Sequence, residues 1–319
     1  MLSVISLIAP VFGLIGLGFL AARLRWLDPS ATRALSEFGY RVAVPALLFR
    51  VMSSTSMPQV SPLRLLGAYF AAITTIWILA TLATWALLRR PTADAPVIAM
   101  GSCFGNGVML GIPLILGALG NDAATPIALL VTVETAYLWI LATLHMEIAG
   151  RGLRSISFAA VGGILRDVAR NPIVGSVALG VAWAASGLTI PAIPDKLLSL
   201  LAQSAIPIAL FALGMSLAAY SIKGEIATMT LICALKLAFY PALALTFALW
   251  VFELPLLWAS ALFLFTSMPV GANAFVFAAL YDRAVGSVSA AIAVSTVIAV
   301  ISVTIVLAIL RAGWLGGSL

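Results

Sequence analysis

The chain has 319 residues, of which 63% are hydrophobic and 9% charged, and its 17 Lys and Arg outnumber 11 Asp and Glu for a formal net charge of +6. Mean hydropathy is +1.17, whereas soluble domains run about 45–50% apolar and about 25% charged. That balance excludes a cytosolic enzyme, a nucleic-acid binder and a secreted disulfide scaffold, and makes the lipid bilayer the solvent.

A helix needs about 20 apolar residues to cross the hydrocarbon. Ten such stretches follow one another, approximately at 2–22, 33–55, 62–88, 95–119, 123–147, 170–187, 195–219, 224–250, 255–280 and 285–310. The first has no basic residue before it and Arg23 and Arg25 after it, the reverse of a secretory signal, so a first membrane helix with its N-terminus outside is expected. Between the fifth and sixth stretches, Arg151, Arg154, Arg166 and Arg170 flank apolar residues spaced three and four apart, the pattern of a helix lying on the membrane surface. Cys103 and Cys233 sit inside apolar runs and read as core residues, with neither a disulfide nor a metal site expected. No cofactor motif is present.

The odd-numbered connections carry Arg23, Arg25, Arg33, Arg89, Arg90, the four arginines of the surface segment, Lys223 and Arg283. The even side carries Arg50, Arg64, Lys196 and Arg311. Excess positive charge marks the cytoplasmic side, which puts both termini outside an inner cell membrane crossed many times.

The second stretch contains VAVPALLF at 42–49 and the seventh SAIPIALF at 204–211, so Pro45 and Pro207 align across five spans. An odd number of spans per repeat inverts the second half. The fold class expected is therefore an all-α integral membrane protein of ten transmembrane helices, built as two inverted five-helix repeats with crossed, broken helices four and nine. The first repeat covers 1–148, a cytoplasmic interfacial segment 149–169, and the second repeat 170–319. The fourth and ninth stretches correspond, and both are interrupted, by GNGVMLGIP at 105–113 and MPVGANAFVF at 268–277. Paired interruptions at corresponding positions are the sequence mark of a transport site.

Proline inside a helix removes an amide donor, and a freed backbone group persists in a membrane only inside protein or beside cavity water. Two breaks that cross at the midplane would bring two helix N-termini together, with unpaired amides and partial positive charge suited to an anion. Asn106 and Asn273 are the polar side chains at the breaks. Gly107, Gly111 and Gly271 let backbone amides approach a ligand there, and Pro113 and Pro269 preserve the breaks. Glu134 and Lys236 are the deepest charges in their spans, and either pair with each other or line the site. Arg41 follows Glu37 on one helix face, and His145 and Glu147 read as solvated groups closing the fifth span.

The runs GNGVMLGIPLILGALG at 105–120, RNPIVGSVALGVAWAAS at 170–186, AIPIALFALGMSLA at 205–218 and MPVGANAFVFAALY at 268–281 together resemble the auxin efflux carrier family, which includes the plant PIN carriers and many bacterial relatives. The resemblance covers essentially the whole chain. It implies a scaffold of the first, second, sixth and seventh spans, a mobile domain holding the crossover, elevator-type movement and a homodimer. It also implies that Asn106 contacts a substrate carboxylate, that Pro113 and Pro269 are crossover prolines, that Glu134 lies near a supporting polar position, and that Lys236 occupies a basic position of the eighth span. The chain departs from the plant pattern at Gly107, where Thr is usual, and at Tyr69, where an acidic residue is expected.

The function expected is export of a small organic carboxylate, either an auxin-like aromatic acid or a malonate-like dicarboxylate, by a secondary transporter that is not an enzyme. The rivals are a sodium-coupled symporter of the bile-acid carrier type, with Glu134 and Asn273 on the cation, and a membrane sensor that binds without flux. An intramembrane enzyme is disfavoured because the spans hold no buried His pair, Cys/His pair or paired carboxylates.

Overall fold

The structure is a computed structural model that describes residues 2–54, 61–151, 166, 170–220 and 225–312. Most of the surface helix expected over 149–169 lies outside the described residues. Regular structure among them is helical throughout, apart from one isolated antiparallel bridge between Gly105 and Val270.

The first half comprises α1 (Leu2–Arg23), α2 (Pro29–Phe38), α3 (Val44–Ser53), α4 (Pro62–Ala86), α5 (Ala95–Cys103), α6 (Ile112–Leu119) and α7 (Ala124–Arg151). The second comprises α8 (Pro172–Ser186), α9 (Ala192–Leu217), α10 (Ile226–Ala234), α11 (Tyr240–Thr246), α12 (Leu256–Thr266), α13 (Ala272–Tyr281) and α14 (Val285–Arg311). Wider π-helical turns join α2 to α3 (Gly39–Ala43), lead into α6 (Gly107–Gly111), join α10 to α11 (Leu235–Phe239) and follow α11 (Phe247–Val251). Among the described residues, five continuous helical stretches are long and apolar enough to cross a membrane: Pro62–Ala86, Asn121–Ala149, Ala192–Leu217, Ile226–Val251 and Val285–Arg311. Large apolar side chains point outward along them and their neighbours, among them Ile78, Leu82, Leu179, Val297 and Ile301. An aqueous surface would expose charge there; a lipid surface accepts these groups.

Packing sorts the helices into two groups. In one, α9 packs against α1, α2 and α3, and α3 against α8. Here backbones touch: a Cβ on Gly18 would stand 2.1 Å from the carbonyl oxygen of Phe211, and one on Gly214 2.0 Å from that of Ile15. Gly180 plays the same part between α8 and α3, where a Cβ would meet Met52 at 2.6 Å. Small residues allow this close approach, the usual means of joining helices in lipid. In the other group α4, α5, α7 and α10 to α14 enclose a core that includes Tyr69, Ile73, Leu110, Leu264, Phe265 and Phe277, each nearly or wholly buried. The groups meet where the Gly107–Gly111 turn touches α9, where α7 touches α3 and α8, and where α1 touches α14 and α6.

Three side-chain arrangements add to the sequence reading or depart from it. Glu37 pairs with Arg33 at 3.3 Å, one turn earlier, and not with Arg41. His145 is half-buried and its Nδ1 accepts from Trp77 Nε1 at 3.2 Å, so packing against α4 takes a group expected in solvent. Arg90 joins Asp94 at 2.9 Å and also Glu225, while Arg283 lies 3.6 Å from Asp94. This cluster ties together the starts of α5 and α10 and the α13–α14 connection, a long-range pairing that helical periodicity does not encode.

Candidate functional site

The two interrupted spans cross as extended backbone. Helix α5 ends at Cys103, Phe104 turns extended, and helical structure resumes at Gly107. Helix α12 ends at Thr266, and α13 begins at Ala272 after an extended Gly271. Between them Asn106 N donates to Pro269 O at 2.8 Å and Gly271 N donates to Phe104 O at 3.0 Å. Each break thus supplies hydrogen bonds that the other's helix can no longer make, which is how irregular backbone survives at membrane depth. The residue types follow from the geometry. Pro269 has no amide and disfavours a helical Met268. Gly271 leaves no room for a side chain, because a Cβ there would lie 2.5 Å from Gly105 O.

Beside the crossing is a cavity of about 180 Å³. Asn106, Gly107, Gly271 and Asn273 line it, as does Glu134 from α7. Helical structure starts on both sides of it, at Gly107 and at Ala272, and neither start is capped by a side chain. The first amides of a helix lack intrahelical partners and carry partial positive charge, so both breaks present donors to the same space. The remaining expected residues sit behind the cavity wall. Gly111 donates its amide to Asn106 O at 3.0 Å, and a Cβ there would meet Met268 at 3.3 Å. Pro113 is buried in the first turn of α6, while Pro269 lies in the crossing strand itself.

Glu134 and Lys236 do not form an ion pair; the pairs formed among the described residues involve other groups. The two flank the same backbone instead. Glu134 Oε1 accepts from Gly105 N at 3.4 Å. Lys236 Nζ donates to Thr266 O at 3.1 Å and lies 3.0 Å from where a Cβ on Gly105 would stand. A side chain at position 105 would displace the ammonium, so Gly105 joins the site although composition alone did not single it out.

Tyr40, Thr135 and Asn171 also line the cavity and were not expected to. Tyr40 belongs to the π-helical turn Gly39–Ala43, and such turns concentrate at functional sites. Asn171 caps α8, with its Oδ1 accepting from Ile173 N at 2.9 Å. The Asn-Pro pair is a legible helix start, but nothing in it says that the cap faces helices four and nine. With Tyr40, Asn171 and Ile173 on one side and the two breaks and α7 on the other, the cavity lies where the two packing groups meet.

A membrane-embedded helical protein with two broken spans crossed beside a cavity that holds a few polar groups has the build of a transport protein. Residues 3–307 match the family described as membrane transport protein, and the chain belongs to that family, the auxin efflux carriers. It is 33% identical over 324 residues to a "Putative malonate transporter" of Rhizobium meliloti (strain 1021), covering 100% of this chain and 99% of that one. It is 23% identical over 329 residues to "Auxin efflux carrier component 8" of Arabidopsis thaliana, covering 88% of this chain and 89% of that one.

Proposed function

We propose that this chain exports a small organic carboxylate, binding it in the 180 Å³ cavity beside the crossing. That cavity carries the reading: two uncapped helix starts and the side-chain amides of Asn106 and Asn273 converge on one space. Pockets for drug-sized ligands measure about 300–1,000 Å³, so the smaller volume here favours a malonate-like dicarboxylate or a compact aromatic acid over a bulky amphiphile. The similarity to a protein named as a malonate transporter points to the same class.

In this reading Asn106 and Asn273 donate to the carboxylate, Gly107 and Gly271 let the backbone amides reach it, and Gly111, Pro113 and Pro269 keep the broken segments in shape. Ten spans form two inverted repeats, 1–148 and 170–319, whose halves interleave, which accords with α1 packing on α9 and α3 on α8. The α1, α2, α3, α8, α9 group is the fixed scaffold of a homodimer, and the group holding the crossing slides against it as an elevator. Both termini face outward from an inner cell membrane. Moving one negative charge outward across an inside-negative membrane releases about 2.3 kcal/mol per 100 mV, which drives export with no coupled ion.

The test is charge movement by the purified chain in proteoliposomes on a solid-supported membrane, challenged with malonate, other dicarboxylates, indole-3-acetate and simple aromatic acids. A sodium-independent current for one class, lost in Asn106→Ala, is expected. Current that requires sodium would replace uniport with symport, and ligand-stabilised protein without current would make the chain a sensor.

A further inference from the structure

Lys236 is buried completely, at a depth where a charge is costly and needs compensation. One carbonyl freed by the break in the ninth span receives its ammonium. In a continuous helix the carbonyl of Thr266 would accept from Val270 N, but that amide donates to Ser295 Oγ at 3.1 Å. Lys236 Nζ takes its place at 3.1 Å. The other half-helix has the same problem. The carbonyls of Gly101 and Ser102 would accept from Gly105 N and Asn106 N, which donate to Glu134 and to Pro269 O. Two helix C-termini, each with partial negative charge, therefore end at the crossing, and the ammonium caps the second through Thr266 O, 4.5 Å over the Tyr240 ring and beside Gly105. The π-helical turn Leu235–Phe239 places it, on an element that packs against α5. Glu134 accepts from the Gly105 amide at 3.4 Å and makes no ion pair with the ammonium.

Unwound carbonyls and half-helix C-termini at a crossing are the ligands with which inverted-repeat carriers hold a free coupling cation. The geometry points to Lys236 as a tethered cation that fills such a site permanently: its ammonium supplies the single positive charge that an ion-coupled carrier would have to recruit from solution. The inference rests on the carrier reading and deepens it. A covalently held charge cannot be released on one side of the membrane, so the crossing keeps its charge balance throughout the cycle and the anion moves without a co-transported metal ion. Lys236 acts through the backbone of the crossing, as a positioning residue. Removing its side chain should uncover a cation site.

The experiment uses the full chain in proteoliposomes, as wild type, Lys236→Ala and Lys236→Gln, with sodium, potassium, ammonium or choline as the sole cation. Wild-type current with malonate or indole-3-acetate should be the same in all four. Lys236→Ala should lose at least tenfold in choline and regain most of it in at least one of ammonium, potassium and sodium, which unlike choline are small enough for the vacated space. Lys236→Gln, which keeps a donor for Thr266 O and lacks the charge, should fold as wild type and stay impaired in every cation. Direct binding of radiolabelled sodium to detergent-solubilised Lys236→Ala, absent in wild type, reads the uncovered site without any substrate. Wild-type rates for Lys236→Gln in choline would overturn the proposal. So would equal impairment of folded Lys236→Ala in all four cations with no sodium bound. Absence of wild-type current with every acid would instead contradict the carrier reading, and sodium binding by Lys236→Ala would still decide the tethered cation.

Discussion

Gly271→Ala perturbs the crossing at its tightest point. The new Cβ would lie 2.5 Å from the carbonyl oxygen of Gly105, 2.9 Å from its carbon and 2.9 Å from the Phe104 ring. Two of these atoms are backbone and cannot rotate away. If the strands stay paired, the strain is that of an overpacked core, about 1–3 kcal/mol. If they separate, the bonds from Asn106 N to Pro269 O and from Gly271 N to Phe104 O are lost. Each donor left unsatisfied in the interior costs about 1–3 kcal/mol. The expected loss is about 2–4 kcal/mol, and at roughly 2–4 °C per kcal/mol the thermal midpoint of detergent-solubilised protein should fall by about 5–15 °C. Transport should fall with it, because the amides that face the cavity move with the strand. Gly175→Ala in α8 is the control. A Cβ there has nothing within 4 Å, and alanine gains roughly 0.5–1 kcal/mol over glycine inside a helix, so its midpoint should hold or rise. Equal midpoints and equal currents for Gly271→Ala and wild type would refute the close crossing.

Asn273→Ala should reduce substrate current at least tenfold with the melting midpoint within about 2 °C of wild type, as expected for a side chain that lines the cavity and makes no cap; an unchanged current would remove Asn273 from the site. Gly214→Leu should lower the midpoint strongly, since even a Cβ meets Ile15 O at 2.0 Å, and a wild-type melt would contradict the backbone contact of α1 with α9. Trp77→Phe removes the donor to His145 Nδ1 and should cost about 1 kcal/mol without changing substrate selectivity; a change in which acids are moved would link this distant pair to transport.

Much of this architecture is written in local signals. Apolar stretches and their Gly/Pro interruptions locate the long helices and the two breaks, because backbone hydrogen bonding in lipid leaves few alternatives to a helix. The residues at the breaks, Asn106, Gly107, Gly271 and Asn273, were legible for the same reason, and they do line one cavity. What stayed hidden depends on tertiary packing. Asn171 reads as a helix cap from its Asn-Pro neighbourhood, and only the placement of α8 against α7 turns that cap toward the cavity. Tyr40 sits on an apolar span whose π-helical turn leaves no sequence mark. Gly111 and Pro113 share the motif of Asn106 yet lie behind the wall, since the lining from this segment ends at Met109. Glu134 and Lys236 stand out as buried charges, but sequence offered them only to each other or to the substrate. The structure gives Glu134 to the Gly105 amide and Lys236 to the Thr266 carbonyl, with the ammonium beside Gly105, an arrangement with no pairwise signature.

The most direct measurement is the current that wild-type protein passes in sodium-free proteoliposomes when malonate, indole-3-acetate or a simple aromatic acid is added. A saturable current for one class of acid, unchanged by sodium and abolished in Asn106→Ala, is the expected result. A current that appears only with sodium, or one that survives in folded Asn106→Ala, would contradict an anion carried at the crossing without a coupled ion.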